Sequence, residues 1–592
     1  MISAEPPFVL LDDARVDGAV AARLYTGPVS TVTARTSEEL PALFEALRNA
    51  KARGLHAAGY LSYEAGFALE PGLDIAPPLE PAAPETPLAW FGLFADYQEI
   101  ASDAVTSILP DPAAAHITSV MPGVSRAGYH TAFAKVQDYI QAGDIYQANL
   151  TFRAFAQYAG DPLALYAAIR PNAAAGYGGI VWTGERWLLS FSPELFFALR
   201  DGRVTTKPMK GTAKRLGDPA QDAAAALALQ SDPKQRAENL MIVDLLRNDL
   251  SRVCEAGTIM VPDLFAIESY PTVHQMTSTV TGVLKRDHEA VDLIEAIFPC
   301  GSIIGAPKIR AMEIIDEVEV DLRGAYCGSI GRIDPSGDAA FNVAIRTFSL
   351  CEKQKRVSLG LGSGIVADSN EGDEWAECLA KGDFAKVAGY GFDLIETMRF
   401  EPAQGILRLE RHLERMKESA RALGFEFDRH SVRNQLHAVT FHLEKPSKIR
   451  LLLAKSGAIA IELCDAPVEP VAPWRVALAA MTLTPRDFRL AHKTSDRAFY
   501  DDPRNAGADI DEVLFTDADG GLTEGSFTSL YVERGGILHT PKLSCGLLPS
   551  VLRSELIESG KAIEADLRAE DLGDGFLLGN SVRGLFYGIL VA

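Results

Sequence analysis

The spacing of apolar and polar positions predicts helices that alternate with strands from Tyr129 to about residue 386. AENLMIVDLLRNDL (237–250) has the period of an amphipathic helix. RVSLGLGSGIVAD (356–368) predicts a strand, a glycine turn and a second strand. DEWAECLAKGDFAKV (373–387) again predicts a helix, and FNVAIRT (341–347) predicts an apolar strand. The chain therefore mixes helices and strands throughout this region.

The pattern breaks at AGYGFD (388–393), and a new strand–helix series begins with LIETMRF (394–400). A chain of 592 residues is too long for one hydrophobic core, so we expect at least two domains. We place the boundary near residue 387. The predicted parts are a variable N-terminal part (1–120), a core (121–387) and a second domain (388–592).

The composition of the chain limits which binding partners and which cellular location we expect for the protein. The formal net charge of −22 argues against a nucleic-acid partner, because phosphate binding needs clustered lysine and arginine. No apolar run is long enough to span a membrane, and the N-terminus lacks the pattern of a signal peptide. The seven cysteines are scattered without a CxxC spacing, which favours reduced thiols and a cytoplasmic location.

Three glutamates suggest a cation site. Glu374 and Glu377 lie three residues apart on one predicted helix face, with Lys381 four residues further on, and a second predicted helix carries Glu238. Carboxylate oxygens suit Mg²⁺, which keeps waters that a substrate carboxylate can replace. A solvated helix face explains Glu374 and Glu377 equally well, and their spacing alone favours that interpretation.

Two further features suggest an anionic ligand. In FPCGSIIGAPKIRAMEIIDEVE (298–319), a glycine-rich stretch precedes a helix that begins near Pro307, and its first N–H groups could bind a carboxylate. A plain strand-to-helix turn explains the same glycines. Arg346 in its apolar strand needs an acidic partner, either from the protein or from a ligand.

Seven motifs in one order resemble the chorismate-utilising enzymes, the family of anthranilate synthase component I, aminodeoxychorismate synthase component I, isochorismate synthase and salicylate synthase. The resemblance covers about residues 120–386. The motifs are SFSPELFF (190–197), PMKGT (208–212), AENLMIVDLLRNDL, GSIIGAPKIRAMEII, YCGSIG (326–331), FNVAIRT and GSGIVADSNEGDEWAECLAK (362–381). The resemblance implies a two-sheet β-sandwich core surrounded by helices, within an α+β chain.

Within that family, PMKGT resembles the motif of the aminodeoxychorismate synthases, in which anthranilate synthases usually have alanine at the lysine position. The resemblance implies that Lys210 attacks C2 of chorismate and displaces the C4 hydroxyl. Ammonia then adds at C4 and releases the lysine. Glu194 matches the general acid that protonates the departing hydroxyl.

The family motifs also imply a metal site and a substrate site. Glu238, Glu374 and Glu377 match the Mg²⁺ ligands. The implied substrate contacts are Arg346, Tyr326, Gly328, Lys381, His274, Gly301 and Ser302. A lone histidine such as His274 is more often structural than functional, and the family match makes the two interpretations about equal.

The second domain resembles the fold-type IV pyridoxal phosphate (PLP) enzymes, which include branched-chain aminotransferases, D-amino acid transaminases and aminodeoxychorismate lyase. Its motifs are LIETMRF, RLERHLERMKESARALGF (408–425), HKTSDR (492–497), LTEGSFTSLYV (522–532), CGLLPSVLR (545–553) and GNSVRGLF (579–586). Lys493 matches the lysine that holds the cofactor, and Glu524 matches the acid at its ring nitrogen. The implied phosphate contacts are Arg415, Ser550, Val551, Leu552 and Ser581.

This second region departs from its family at its start. Members usually have some twenty to thirty residues before the strand that LIETMRF resembles, and here almost nothing follows residue 386. The small N-terminal subdomain is therefore either incomplete or rebuilt by residues of the first domain.

The fusion implies two consecutive reactions, amination of chorismate and PLP-dependent release of pyruvate to give 4-aminobenzoate for folate synthesis. No glutaminase motif occurs, so a separate glutaminase subunit or solution must supply ammonia. Fold-type IV domains also imply a homodimer. Three alternatives stay open: an anthranilate synthase component I-like chain, an aminotransferase as second domain, or a second domain that only binds a partner.

Overall fold

The computed structural model describes residues 5–70, 72–73, 86–270, 273–385, 391–506, 510–573 and 575–591. The chain forms two compact units, and the second takes in residues from the N-terminal half. Unit 1 comprises Met1–Leu109, Val120–Ala156 and Ile169–Val387, and unit 2 comprises Pro110–Ser119, Gln157–Ala168 and Ala388–Ala592. The predicted boundary at residue 387 falls outside the described residues.

Among the described residues, unit 1 is built on two sheets of 11 and 10 strands, in which β9 runs on into unit 2 and β7 belongs to unit 2. The first sheet contains β1 Phe8–Asp12, β2 Ala22–Thr26, β6 Gln98–Ile100, β7 Ala115–Ile117, β8 Met121–Pro122, β9 Gln147–Gly160, β10 Gly178–Trp182, β11 Trp187–Ser190, β17 Gly305–Ala306, β20 Thr347–Cys351 and β21 Arg356–Ile365. The second contains β3 Ser30–Ala34, β4 His56–Leu61, β5 Ala89–Phe94, β12 Leu195–Arg200, β13 Arg203–Lys207, β14 Met209–Lys214, β15 Met260–Ser269, β16 Val273–Val283, β18 Ser329–Ile333 and β19 Ala339–Asn342.

The two sheets share a buried core, because their strands alternate inward-facing apolar residues. Val9 and Val181 of the first sheet cluster with Tyr60 and Ile330 of the second. The helices whose residues belong wholly or partly to unit 1 are α1 Leu40–Ala52, α2 Ala65–Leu69, α3 Val105–Ile108, α4 Arg126–Ala142, α5 Pro162–Ala173, α6 Pro219–Ser231, α7 Pro233–Ser251, α8 Ala290–Ile297, α9 Lys308–Val318 and α10 Glu371–Ala380. The two-sheet sandwich with surrounding helices agrees with the predicted α+β class.

Two local predictions were wrong. Residues 356–365 form one continuous strand, β21, rather than two strands around a glycine turn. Arg346 lies between β19 and β20 rather than within a strand, and its backbone is left-handed with φ of 48°. The helix predicted over 237–250 is confirmed as part of α7, whereas the one predicted over 373–387 ends at Ala380.

Unit 2 also has two sheets, of four and eight strands in the described residues. The smaller contains β22 Leu394–Glu401, β23 Gly405–Ile406, β24 Ser447–Leu453 and β25 Ile459–Asp465. The larger contains β26 Trp474–Ala480, β27 Glu512–Thr516, β28 Leu522–Gly525, β29 Ser529–Arg534, β30 Ile537–Pro541, β31 Ala562–Ala565, β32 Phe576–Asn580 and β33 Gly584–Leu590. Its helices from residue 391 onward are α11 Leu409–Leu423, α12 Arg429–Thr440, α13 Phe488–Ala491, α14 Ala498–Ala506 and α15 Val551–Glu558.

Residues from the N-terminal half complete the first core of unit 2. β7 pairs with the end of β9, and Ala159 of β9 is buried in the cluster that contains Leu394 and Leu423. The ring of His116 lies against Phe392 and Phe488. Of the two alternatives for the shortened start of this region, the structure therefore shows that earlier residues rebuild part of it. In the part of the chain that is described, no helix is both long and apolar enough to cross a membrane.

Candidate active sites

Lys210 sits on a bulge in unit 1. The register between β14 and β16 shifts between Met209 and Thr212, and Gly211 has a φ of 98°, which a side chain rarely allows. The extra residue at this point turns Lys210 out of the regular ladder. Its Nζ lies 3.6 Å from Oε2 of Glu238, and its side chain is 20% exposed. PMKGT thus forms a bulged strand that presents a half-buried amine.

Glu194 is a buried carboxyl group close to this amine. Its Oε1 accepts a hydrogen bond of 2.7 Å from the hydroxyl of Ser302, which sequence analysis assigned to the same site. Burial raises the pKa of the Glu194 carboxyl to about 7, although the Ser302 hydroxyl and the Lys210 charge act in the opposite direction. A carboxyl group with this pKa is about half protonated at pH 7, and the protonated form can donate its proton.

The lysine amine also lies beside one face of β21. A Cβ atom on Gly364 would lie 2.6 Å from both Nζ of Lys210 and Nε2 of Gln147, so glycine keeps this space open. Gln147 is 1% exposed, and neither polar atom of its side chain has a hydrogen-bond partner in the described residues. A buried amide without partners in the described residues, next to the Lys210 amine, is a candidate substrate contact. Sequence analysis missed Gln147, whose only signal is a polar residue at the start of an apolar strand.

Each of the three glutamates predicted to bind Mg²⁺ has a partner within unit 1. Glu238 contacts Lys210, the hydroxyl of Ser369 donates a 2.6 Å hydrogen bond to Glu374, and Glu377 forms a 2.8 Å ion pair with Lys381. Glu374 and Glu377 both lie on α10, three residues apart, as the predicted helix required.

Lysines collect around these carboxylates. Burial acts to raise the pKa of Glu377, but Lys381, Lys210 and Lys234 together lower it. The pKa of Lys234 is itself raised, first by a hydrogen bond to Asp368. Lys234 is a second residue that sequence analysis missed.

The donor chemistry suits Mg²⁺, but the arrangement does not. Within the described ranges, no group of three or more His, Cys, Asp or Glu side chains is placed so that it could hold a metal ion. Lysine ammonium groups occupy positions beside two of the carboxylates instead. The Mg²⁺ site therefore stays a prediction.

Arg346 is a largely buried cation whose charge is not neutralised by an ion pair to any described residue. Burial lowers the pKa of its guanidinium, and only Tyr270 acts in the opposite direction. Buried arginines usually have an anionic partner. This observation fits the predicted carboxylate contact.

Three other predicted substrate contacts have evident structural roles. Both ring nitrogens of His274 are engaged, by Asp222 at 3.0 Å and by Ser269 at 2.8 Å. A Cβ on Gly328 would lie 2.1 Å from the Leu61 carbonyl oxygen, and one on Gly301 would lie 2.3 Å from the side chain of Leu245. These glycines allow close packing.

The ring of Tyr326 lies against Gly360, where a Cβ would approach it to 2.0 Å. Lys381 donates a 2.9 Å hydrogen bond to the Gly362 carbonyl oxygen as well as pairing with Glu377. The side chains of Tyr326 and Lys381 thus contact glycines of β21, as the side chain of Lys210 does at Gly364.

Unit 2 holds a second candidate site around Lys493. Its Nζ donates a 3.0 Å hydrogen bond to the Thr397 hydroxyl. Burial lowers the pKa of the Lys493 ammonium to about 7, and Arg415 acts in the same direction, so much of it is the neutral nucleophile at neutral pH. The backbone of Lys493 is fixed by a 2.9 Å hydrogen bond from the Ile395 amide.

Glu524 is the acid of this site. The Tyr500 hydroxyl and the Leu548 amide, the latter at 2.9 Å, both donate to its Oε1. Burial raises the pKa of the Glu524 carboxyl to about 7 against the effect of both donors. Tyr500 was not found by sequence analysis, because a tyrosine in a helix without a motif gives no signal.

A buried network positions Arg415. Glu396 accepts two hydrogen bonds from its guanidinium, at 2.8 and 2.7 Å, and a third of 2.6 Å from His412. The other ring nitrogen of His412 contacts the Ser581 hydroxyl at 2.7 Å. The Arg415 and Ser581 side chains are therefore linked through Glu396 and His412, two residues that sequence analysis did not single out.

The N-terminus of α15 supplies the remaining predicted contacts. Ser550 is its N-cap and accepts from the Arg553 amide, while the first N–H groups, including those of Val551 and Leu552, have no acceptor within the helix. The Leu552 side chain packs into a hydrophobic cluster with Tyr531. Only its backbone amide is thus available for the predicted role.

One cavity of about 380 Å³ brings these residues together. Its lining includes Thr397, His412, Arg415, Lys493, Tyr500, Glu524, Ser550, Val551 and Ser581. An amine, a buried acid and a cluster of an arginine, a hydroxyl and helix amides match the three needs of PLP: a carbonyl partner, a ring-nitrogen partner and a phosphate site. The residues present therefore fit the cofactor.

Comparison with known proteins agrees with this division. The family model described as chorismate binding enzyme matches residues 6–386, more than half of the chain. The chain belongs to the chorismate-binding enzymes. The model described as amino-transferase class IV matches residues 393–587, a class that implies PLP. Both predicted family resemblances and the predicted fold class are confirmed.

Named relatives cover only part of the molecule. Aminodeoxychorismate synthase component 1 of Klebsiella aerogenes is 46% identical over 258 residues, which are 44% of this chain and 57% of that protein. Anthranilate synthase component 1 of Haloferax volcanii is 36% identical over 292 residues, 49% of this chain and 56% of that protein. The chain thus spans about half the length of the curated relatives it matches.

A solved structure supports the fold of unit 1. Anthranilate synthase component I from Streptococcus pneumoniae aligns with a TM-score of 0.53 and 24% identity, over 65% of this chain and 94% of that chain.

Proposed function

We propose that unit 1 aminates chorismate to 4-amino-4-deoxychorismate and that unit 2 converts this product to 4-aminobenzoate and pyruvate. The observation that supports the first step most strongly is the pairing of a half-buried lysine, Lys210, with a buried acid, Glu194, whose pKa of about 7 leaves a large fraction of it protonated at neutral pH. The 46% identity over 258 residues to aminodeoxychorismate synthase component 1 of Klebsiella aerogenes supports this step.

In the first reaction, Lys210 would act as the nucleophile and Glu194 as the proton donor. The Lys210 amine forms a bond to C2 of chorismate as the C4 hydroxyl departs with the Glu194 proton as water. Ammonia then bonds to C4, the C2–nitrogen bond breaks, and the lysine amine is regenerated. Arg346 would bind a substrate carboxylate, because its buried charge has no ion-pair partner among the described residues. A separate glutaminase subunit would supply the ammonia.

Mg²⁺ dependence is part of the proposal and rests on the chemistry of Glu238, Glu374 and Glu377. Because these carboxylates lie beside lysines, no step is assigned to the ion.

In unit 2, PLP would be held by Lys493, Glu524 and the cluster around Arg415, and when bound it supplies the electron sink that makes the substrate C4 proton acidic. Lys493, with its lowered pKa of about 7, would take that proton. Glu524, buried and hydrogen-bonded by Tyr500, would hold the cofactor ring nitrogen. Loss of the proton and of the enolpyruvyl group as pyruvate leaves an aromatic ring, which drives the reaction.

The test is product analysis of the purified chain supplied with chorismate, Mg²⁺, an ammonium salt at high pH and PLP. We expect 4-aminobenzoate and pyruvate by mass and fluorescence. Lys210→Ala should abolish both, whereas Lys214→Ala, at an exposed position four residues away, should retain them.

Three other outcomes would overturn parts of the proposal. Anthranilate as product would contradict the assignment of Lys210. Aminodeoxychorismate that accumulates without 4-aminobenzoate would contradict the lyase step. Exchange of amino groups between an amino acid and a keto acid would make unit 2 an aminotransferase, and failure to bind PLP would leave it a partner-binding module.

A further inference from the structure

The wall of the unit 2 cavity carries more positive charge than the cofactor needs. Beyond Arg415 and Lys493, four cationic side chains line it, and the acidic lining residues are Asp465 and Glu524. The four cations are Lys448, Arg497, Arg504 and Arg583. None of the four forms an ion pair with a carboxylate in the described residues. Cations without counter-charges around a cavity indicate an anionic ligand.

Arg504 and Arg583 are held by aromatic rings instead of by carboxylates. The Arg504 guanidinium lies 5.0 Å from the ring centroid of Phe527, and that of Arg583 lies 5.0 Å from the ring centroid of Trp474. The two rings contact each other with centroids 5.8 Å apart. Stacking on an aromatic face orients a guanidinium while leaving its N–H groups at the edge, and Arg583 uses one of them in a 3.3 Å hydrogen bond to the Val468 carbonyl oxygen. The pair is therefore oriented for planar acceptors such as carboxylates.

The other two cations are less suited to this role. Arg497 donates to the Ser526 carbonyl oxygen and stacks on Tyr500, so it supports the turn after Glu524. Lys448 is a flexible point charge whose side chain has no oriented contact to the part of the chain that the structure describes. Burial lowers the pKa of the Arg583 guanidinium, and no described carboxylate acts in the opposite direction.

We propose that Arg504 and Arg583 determine the substrate specificity of the unit 2 cavity by each binding one carboxylate of a dicarboxylic amine. This inference rests on the proposed function, whose intermediate carries a ring carboxylate and an enolpyruvyl carboxylate. A substrate with one carboxylate can satisfy only one of the two arginines. The pair would thus separate this substrate from ordinary amino acids.

The test uses the PLP-loaded full chain and the cofactor absorbance, which reports only on the unit 2 cavity. Benzene-1,3-dicarboxylate and benzoate, which have no amine, are titrated as probes. We expect the dicarboxylate to bind about ten-fold or more tightly than benzoate, since a charge-assisted hydrogen bond contributes about this much. Arg504→Gln and Arg583→Gln should each remove the preference, and Arg504→Lys should restore part of it.

Arg534→Gln is the matched control, because Arg534 pairs with Asp571 on the surface outside the cavity. It should keep the preference of the wild type. Cofactor content and melting temperature of every variant are measured, so that unfolding is recognised, and Arg504→Lys keeps the test valid if the glutamine variants fail to fold.

Turnover of 4-amino-4-deoxychorismate separates this inference from the proposed function. We expect KM to rise at least about ten-fold in the glutamine variants while kcat changes little. If the wild type prefers the dicarboxylate but makes no 4-aminobenzoate, the lyase assignment is wrong, whereas the role of the two arginines in binding dicarboxylates is supported. Variants that retain wild-type KM and probe preference would overturn the inference.

Discussion

At the scale of the residue, Glu194 depends on its burial for the proton that it would donate. With a pKa of about 7, it is mostly protonated below pH 7 and loses this form as pH rises. We expect the ratio of the wild-type rate to the Glu194→Gln rate to be on the order of 100 or more at pH 6.5 and to fall about ten-fold per pH unit above pH 7. The rates are measured with chorismate at constant free ammonia. Taking the ratio removes the titration of other groups, and a ratio that stays flat up to pH 9 would contradict the role.

Glu396 is the residue on which the position of the Arg415 side chain in the unit 2 cavity depends. It holds both Arg415 and His412, and the charges of these two partners lower the pKa of its buried carboxyl despite the opposing effect of burial. Glu396→Gln removes the negative charge and leaves Arg415 without its bidentate partner. We expect the affinity for PLP to fall about ten-fold or more, measured by absorbance titration of the apo protein.

Glu414→Gln is the control for this experiment, because Glu414 lies on the same helix as Arg415 and forms ion pairs at the surface with Lys417 and Arg429. Its PLP affinity should match the wild type. Equal affinities for both variants would show that the network does not position the phosphate site.

Residues that carry motifs could be predicted from the sequence, and the structure brings most of them together. Lys210 and Glu194 meet in unit 1, and Lys493 and Glu524 line one cavity in unit 2. Gln147 and Lys234 could not be predicted, because a buried amide or a neighbouring lysine becomes functional only through contacts that folding creates. His274 shows the reverse, since its nitrogens are already engaged by Asp222 and Ser269.

At the scale of the element, β21 is a strand with one glycine face. Gly360, Gly362 and Gly364 lie two residues apart, so they share a side of the strand. Cβ atoms there would meet Tyr326, Thr151 and Lys210, respectively. The glycines were predicted as a turn because glycine most often marks turns. Here they permit close approach of neighbouring side chains, which a single sequence does not distinguish.

This arrangement predicts the effect of Gly364→Ala. The new methyl group would displace the ends of the flexible Lys210 and Gln147 side chains, which can move without loss of packing. We expect amination to fall at least about ten-fold, because small misplacements of a nucleophile are costly, while the melting temperature changes little. Gly217→Ala is the control, since nothing lies within 4 Å of a Cβ there. Unchanged activity in Gly364→Ala would show that the Lys210 position is not constrained by this face.

At the scale of the whole molecule, the composition of unit 2 could not be predicted from sequence order. The sequence places its start near residue 388, yet residues 110–119 and 157–168 belong to the same compact unit. The Nε2–H group of His116 donates a 2.9 Å hydrogen bond to the Leu423 carbonyl oxygen, across 307 residues of chain. Such contacts leave no local pattern, because they depend on surfaces that form only when distant segments pack.

The same region makes the free energy of unfolding of unit 2 decrease in acid. Burial lowers the pKa of His116, and burial together with the nearby His116 lowers the pKa of His492 to about 4. His492 is therefore neutral in the folded state well below pH 6.5, whereas in the unfolded chain both histidines take up protons below about pH 6.5. The unfolded state then binds more protons, so the stability is fully present above pH 6.5 and is lost as pH falls towards 4.

We expect His492 alone to reduce the free energy of unfolding of unit 2 by about 2 kcal/mol between pH 7.5 and pH 5. In unit 1, burial raises the pKa values of Glu64 and Asp249, so their protonation in acid favours the folded state instead.

Thermal unfolding followed at pH 7.5, 6 and 5, with PLP release as the signal for unit 2, should show that unit 2 unfolds before unit 1 in acid. His492→Gln keeps a polar group beside Ser419 and should flatten the pH dependence, whereas His430→Gln, at an exposed position of unit 2, should leave it unchanged. If both variants lost stability in acid as the wild type does, the buried histidines would not be the cause, and the acid response would have to come from carboxylates elsewhere in unit 2.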